Sequence, residues 1–245
     1  MDCEARPLFE AATLPYRRVG RYAWHFARGK LRHDPVFFFL LRRGLFPDRG
    51  SLLDLGCGQG ILLSLLKAAK EQYQAGSWSR DWPAPPLNLG LLGVELREDR
   101  VQAARLALGG SVEVIPGDVR EVALRPCTVI VILDVLLCLG DEEQRRLLDR
   151  VAAALEPGGL LLLREADAGS GLAFQVTKWS ERIAGALRGR FGQPLHYRSA
   201  VQWIAELAER GFTVEAEPMS AGTPFANVLF VARKSNVTRA TDGRR

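Results

Sequence analysis

The sequence predicts an α/β fold in which a mostly parallel, seven-stranded sheet carries helices on both faces and a reversed strand at its C-terminal edge. Three observations predict it. Short apolar runs alternate with segments whose apolar residues recur at helical spacing, the pattern of strands joined through helices and hence parallel. The first run, Ser51 to Leu55, passes directly into a turn with glycines at 56, 58 and 60 and then into a helical stretch. The last two runs, Gly211 to Glu217 and Asn227 to Arg233, follow each other without a helix between them, which is the pattern of a hairpin and so of one reversed strand.

A helical N-terminal segment reaches to about residue 46. Strand 51–55 follows, then a helix over 59–70. Strands over 90–95, 112–115 and 128–133 are read from runs rich in Val, Ile and Leu, with a helix over 98–108 between the first two. A helix over 141–155 leads through Leu155-Glu156-Pro157-Gly158-Gly159 into a buried strand over 159–165. Beyond it come a helical insert over about 171–187 and a helix over 199–210, which Ser199 caps and Gly211 stops. An insertion over 71–89 separates the first helix of the sheet region from the second strand; Pro83, Pro85 and Pro86 exclude a longer helix there, and Trp78 and Trp82 predict a packed surface loop. The organisation is therefore a helical lid over 1–49, one domain over 50–234 and a polar, disordered tail over 235–245.

The turn at Asp54-Leu55-Gly56-Cys57-Gly58-Gln59-Gly60 is the most informative segment. Its glycines permit positive φ and leave no Cβ to obstruct a ligand approaching the backbone. The dinucleotide fingerprint would need its third glycine at position 61, where Ile61 stands. Asp54 also places a carboxylate where a pyrophosphate would lie, which disfavours an anion and favours a cationic amino-acid moiety. Spacing and charge together point away from NAD and toward S-adenosylmethionine.

The following strand ends carry polar residues in a matching order. Glu95 ends the run Gly90-Leu91-Leu92-Gly93-Val94, where a carboxylate accepts from both hydroxyls of a ribose. Asp118, after Gly117, is placed to accept from an adenine amino group, with the neighbouring backbone N–H reading the ring. Leu96 and Val119 flank these two acids, and Asp134 ends the fourth strand. On these motifs the chain resembles the class I S-adenosylmethionine-dependent methyltransferases of the small-molecule type, over roughly residues 50–233. The resemblance implies their Rossmann-like fold, with Asp54, Gly56, Cys57, Gly58 and Gly60 as the first cofactor motif, Glu95 and Leu96 at the ribose, Asp118 and Val119 at the adenine, and Asp134 near the methyl end. A fainter likeness lies in Tyr22 to Pro35, whose Phe-Ala-Arg-Gly-Lys-Leu-Arg-His-Asp-Pro string is similar to methyltransferases found beside bacterial aryl-polyene pigment pathways. That likeness implies an aromatic, carrier-bound acceptor, with Arg28 or Lys30 reaching the cofactor's carboxylate.

Length and composition suit one globular domain, with 245 residues, 47% of them hydrophobic and 25% charged. The early charges Asp2, Glu4 and Arg6 and the lack of a long apolar run predict a cytoplasmic protein. Cys3, Cys57, Cys127 and Cys138 show no ligand or disulfide spacing, so no metal is expected. The net charge of +5 is uneven: the first fifty residues and the tail hold the excess, leaving 51–233 slightly acidic. Over 16–46, Arg17, Arg18, Arg21, Arg28, Lys30, Arg32, Arg42 and Arg43 face Asp34 alone and are interleaved with Tyr16, Tyr22, Trp24, Phe26 and the Phe37-Phe38-Phe39 run. Such a lid suits an anionic partner, an acyl-carrier protein or an acidic lipid surface at the inner face of the membrane, or it simply caps the cofactor. The acidic core, and a fourth strand ending in Asp134-Val135-Leu136-Leu137 in place of an Asn-Pro-Pro-Tyr type motif, argue against nucleic acid.

A sulfonium methyl is already activated, so displacement needs an acceptor lone pair held in line at about 3 Å, plus a base if the acceptor is a hydroxyl or carbon acid. The candidates for that base are His25 and His33 in the lid, His196 before the Ser199 helix, and Glu165 and Asp167 at the end of the fifth strand. The expected activity is methyl transfer to a small or carrier-tethered, aromatic or acyl acceptor, with the 168–198 insert on the acceptor side. The competing expectations are an RNA or protein methyltransferase, and a cofactor-binding scaffold that does no chemistry.

Overall fold

The structure, a computed structural model, describes residues 5–171, 174–178 and 194–236. Its sheet has the order β3-β2-β1-β4-β5-β7-β6. β1 (Arg49–Leu55) pairs in parallel with β2 (Asn88–Glu95) on one side and with β4 (Cys127–Leu133) on the other. β3 (Glu113–Pro116) extends the β2 side, and β5 (Leu155–Ala166) the β4 side, both in parallel. β7 (Asn227–Lys234) is antiparallel to both β5 and β6 (Phe212–Pro218), so it alone is reversed. The edge is therefore β6, and the reversed strand lies one place in from it, because the β6–β7 hairpin folds its second strand back against β5. The chain moves outward from β1 to β3 and then returns to β4, which makes the carboxyl ends of β1 and β4 the switch point where an open α/β sheet leaves a crevice.

Alternation along the strands feeds two cores. Leu52, Val129, Val131, Leu160 and Leu162 pack on one face under α1 (Ala5–Thr13), α2 (Arg21–His33), α3 (Pro35–Arg42), α4 (Ile61–Gln74) and α5 (Glu98–Leu108). Leu53, Leu55, Ile130, Ile132 and Leu163 pack on the other under α6 (Asp141–Ala154) and α7 (Ala200–Glu209). The N-terminal helices thus share a core with α4 and α5.

The helical N-terminal segment is broken twice, each time at a proline. A 3-10 turn, Leu14–Arg18, follows α1 with Pro15 in its first turn. Asp34 then sits before Pro35 with φ −100° and ψ 110°, the extended backbone a following proline ring imposes. Its carboxylate accepts from Val36 N at 3.2 Å, so one residue ends α2 and caps α3.

The insertion is shorter than the sequence predicts, since α4 runs on to Gln74 and β2 begins at Asn88. The remaining loop packs by its tryptophans: Trp78 and Trp82 meet edge to face at 5.3 Å, Trp82 meets Phe38 of α3 the same way, and Trp78 Nε1 donates to Pro83 O. β5 starts at Leu155, because Leu155 pairs with Cys127 before a bulge in which Gly158 takes φ +73°. Of the expected helical insert, 174–178 is helical while 179–193 lies outside the described residues, as does 237–245 of the expected tail.

Ser199 forms a capping box on α7, accepting from Gln202 N while Gln202 Oε1 accepts from Ser199 N at 2.8 Å. Ser199→Ala is expected to lower unfolding free energy by about 1 kcal/mol, read from the shift in urea midpoint at constant slope.

Candidate active site

The turn after β1 closes against the end of β2. Gly56 N and Cys57 N both donate to Val94 O, at 2.8 and 3.0 Å. Gly56, Gly58 and Gly60 all take positive φ, at 78°, 58° and 73°. A Cβ at Gly56 would run into Val135 Cγ2, whereas one at Gly58 would project into open space. The turn is thus packed against the β4 loop at one glycine and open to a ligand at the next.

Glu95 closes the arrangement, its carboxylate accepting from Gly58 N at 3.0 Å and Arg97 N at 2.9 Å with Arg100 at 3.8 Å. Asp54 is buried behind the turn, and its carboxyl is pushed up to about 7 by burial and then by the charge of Glu95; among the described residues no cation pairs with it. Beneath the turn Tyr16 is fully buried and its hydroxyl donates to Gln59 O at 2.8 Å, which ties the 3-10 turn to the glycine loop. Gln59 Oε1 is buried without a hydrogen-bond partner. A buried carboxylate lacking a counter-cation, a partnerless buried acceptor and an open glycine position together fit a group that is cationic and donates hydrogen bonds.

The other predicted cofactor residues divide. Leu96 stands 64% exposed beside Glu95, an apolar surface at the rim, and Val119 is buried. Asp118 is engaged by Arg120, which donates to both carboxylate oxygens and reaches across to Glu143 at 2.9 Å; these contacts hold Asp118 below the usual carboxylate range. An adenine amino group would have to displace Arg120 from it.

At the end of β4, Asp134 takes φ +59°, the one positive value at a non-glycine among the described residues. Such backbone is strained and persists only where its surroundings hold it. Arg164 of β5 does so, donating through Nε and Nη2 to the two Asp134 oxygens and through Nη1 to Asp34 at 2.6 Å. Lys30 lies 3.1 Å from Asp34 and 3.8 Å from Asp134, completing a cluster of two cations and two anions. Burial opposes the charge on Asp34, but Arg164 and Lys30 hold its carboxyl below the ordinary value. The cluster was not legible as a unit: Arg164 is a lone cation at the end of an apolar strand, and only the fold brings it to Asp34.

Lys30 is therefore at the site, whereas Arg28 is exposed and stacks over Trp24 at 4.7 Å. His25 and His33 are exposed on α2, and the structure brings neither into the cluster. His196 lies in the wall behind the β4 loop, with its backbone N donating to Leu137 O and its Nδ1 3.9 Å from Asp141. Asp167 accepts from Ala200 N, Gly169 N and the Ser170 hydroxyl. Glu165 is fully buried, and burial followed by the nearby Asp134 pushes its carboxyl well above the usual range. It accepts from Leu136 N at 2.7 Å, so it fixes the turn that follows Asp134.

Comparison with known proteins agrees with this geometry. A family model described as a methyltransferase domain matches residues 23–217. The chain is 36% identical over 117 residues to the carboxy-S-adenosyl-L-methionine synthase of Chromohalobacter salexigens, a stretch that covers 46% of this chain and 38% of that protein. The chain thus spans less than half the length of that relative. Among solved structures it resembles an O-methyltransferase family protein from Burkholderia thailandensis, with a TM-score of 0.63 and 17% identity over 85% of this chain and 57% of that one. It also resembles magnesium protoporphyrin IX methyltransferase from Synechocystis PCC 6803 with bound SAH, with a TM-score of 0.58 and 20% identity over 94% and 98% of the two chains. At these identities the two structures establish the fold. The family model, which spans most of the chain and both halves of the site, establishes the family: this chain belongs to the methyltransferase-domain family, whose cofactor is S-adenosylmethionine.

Proposed function

We propose that the chain transfers the methyl group of S-adenosylmethionine to a small or carrier-tethered acceptor, aromatic or acyl in character, held at the carboxyl ends of β4 and β5. The observation that carries this reading is Asp54, a buried carboxylate with no balancing cation among the described residues, at the floor of an open glycine turn. In this reading the cofactor supplies a methyl group already activated by a sulfonium centre. Asp54 attracts the cationic end, Glu95 turns from the Gly58 and Arg97 amides toward the ribose hydroxyls, and Leu96 covers an apolar ring face. Arg164 and Lys30 hold Asp134 in its strained backbone at the acceptor end, so the acceptor meets a fixed carboxylate. Asp134 is the group placed to take an acceptor proton, and Glu165 holds the turn behind it.

The curated relative supports a second reading, in which the cofactor itself is modified to a carboxylated form. The balance of charge favours methyl transfer: Lys30 and Arg164 are matched one for one by Asp34 and Asp134, leaving no spare cation in the cluster for an added carboxylate.

Incubation with methyl-labelled S-adenosylmethionine and a panel of hydroxyl-bearing aromatic and acyl acceptors, with a parallel arm that supplies a decarboxylating carboxylic acid as carboxyl donor, followed by mass spectrometry, tests both. The expected result is label on the acceptor, lost in Asp54→Ala. Label retained on a heavier cofactor supports the second reading, and cofactor bound at wild-type affinity by Asp54→Ala removes the basis of both.

A further inference from the structure

The outer face of α2 carries two parallel stripes that the site does not use. Arg21, His25, Arg28 and Arg32 recur at helical spacing and line one; Tyr22, Phe26, Gly29 and His33 line the next. The opposite face, Ala23, Ala27 and Leu31, is buried in the core, so both stripes point outward. Tyr22 is 78% exposed and stacks on Phe26 with ring centroids 6.2 Å apart. The 3-10 turn before α2 continues the surface with exposed Arg17 and Arg18 and with Leu14, which is 55% exposed.

Charge on this face is uncompensated. No acidic residue occurs between Glu10 and Asp34. Among the described residues Arg17, Arg18, Arg21, Arg28 and Arg32 form no ion pair, although Arg145, Arg146, Arg198 and Arg210 of the α6–α7 wall each meet a carboxylate. Arg17 and Arg28 instead place their guanidinium groups over the Trp24 ring, at 4.5 and 4.7 Å. A solvated face that needed only solubility would mix both signs.

We propose that the outer face of α2, continued by the Leu14–Arg18 turn, docks on an anionic phospholipid membrane surface. The arginines supply attraction to lipid phosphates, and Tyr22, with its neighbour Phe26, supplies an amphipathic ring at headgroup depth. A membrane fits this face better than an acidic carrier protein does. The exposed side of a helix is convex, and its charges are strung along roughly 20 Å of α2 rather than gathered round a pocket for an anchor side chain. Because α2 also contributes Lys30 to the acceptor cluster, the docked face lies on the element that borders the site.

Sedimentation of the full chain with vesicles tests this without reference to activity. The expected result is binding to vesicles of three parts phosphatidylcholine to one part phosphatidylglycerol, weakened by salt, and none to phosphatidylcholine alone. Arg21→Glu with Arg32→Glu is expected to weaken the partition at least twentyfold, since each basic residue at an anionic surface contributes a factor of about five. Both side chains are exposed and unpaired, so the melting temperature is expected to stay unchanged; if the reversed-charge variant fails to fold, Arg21→Gln with Arg32→Gln carries the test. Equal binding to both vesicle types, a variant that binds as wild type does, or capture by an acidic carrier protein with no vesicle binding would each overturn the proposal.

Discussion

Arg164→Met is expected to cost about 3–5 kcal/mol of folding stability, the loss that follows when one partner of a buried ion cluster is removed. The guanidinium is 1% exposed and balances both Asp34 and Asp134, so its removal leaves two carboxylates to Lys30 alone. It also frees Asp134 from the contacts that hold its backbone at positive φ. The pH dependence has a definite sign. Asp34 titrates below its unfolded value in the native protein, so its contribution is present above the ordinary carboxylate range and is lost as pH falls through the depressed native value. The gap between wild type and variant should therefore stay wide from neutrality down to the ordinary carboxylate range and narrow only as pH falls below about 4, so the series runs from pH 7 to about pH 3. Urea unfolding of both proteins across that range measures it, and a gap under 1 kcal/mol at neutral pH would show that the cluster is not a structural necessity.

Affinity for S-adenosylmethionine is expected to rise about tenfold or more between pH 5.5 and 7.5, and Asp54→Asn is expected to flatten that profile. Burial and Glu95 raise the Asp54 carboxyl to about 7, so below that value the free protein carries it protonated. A raised carboxyl opposes folding in its ionised form: the stability associated with it is complete below the unfolded value and is lost as pH rises through about 7. A cation bound beside it restores the carboxylate, so binding at pH 6 must release up to one proton. Titration calorimetry in two buffers of different ionisation enthalpy reads that proton directly. A pH-independent affinity with no proton released would remove Asp54 from the cationic end of the ligand.

The parts of this molecule that were legible in sequence are those written in contiguous residues. Helix 98–108 is found as Glu98–Leu108, and the seven strands lie within a few residues of their expected places, because each is a local apolar period closed by a turn residue. The glycine turn and Glu95 were legible for the same reason. Boundaries failed at two elements: β5 begins four residues early because Leu155 finds Cys127, and α4 runs into the insertion as far as Gln74 before Gly76, at φ +71°, ends it. The cluster around Asp134 was the least legible. Lys30 and Asp134 each carry a sequence signal, but their partners Asp34 and Arg164 join them only when α2, β4 and β5 converge. His25 and His33 have the chemistry of a base, and their exposure on α2 reflects the helical phase that buries Ala23, Ala27 and Leu31 instead.

Asp34 stops one helix, starts the next and pairs with Arg164, 130 residues further along the chain. During synthesis α1 to α3 leave the ribosome long before β5 exists, so the corner between α2 and α3 has its local cap but not its distant anchor. Contacts of such sequence separation are slow to close. The helices α1 to α3 are thus made before the strand that anchors them, and their arginine-rich surface is available to other molecules throughout that interval.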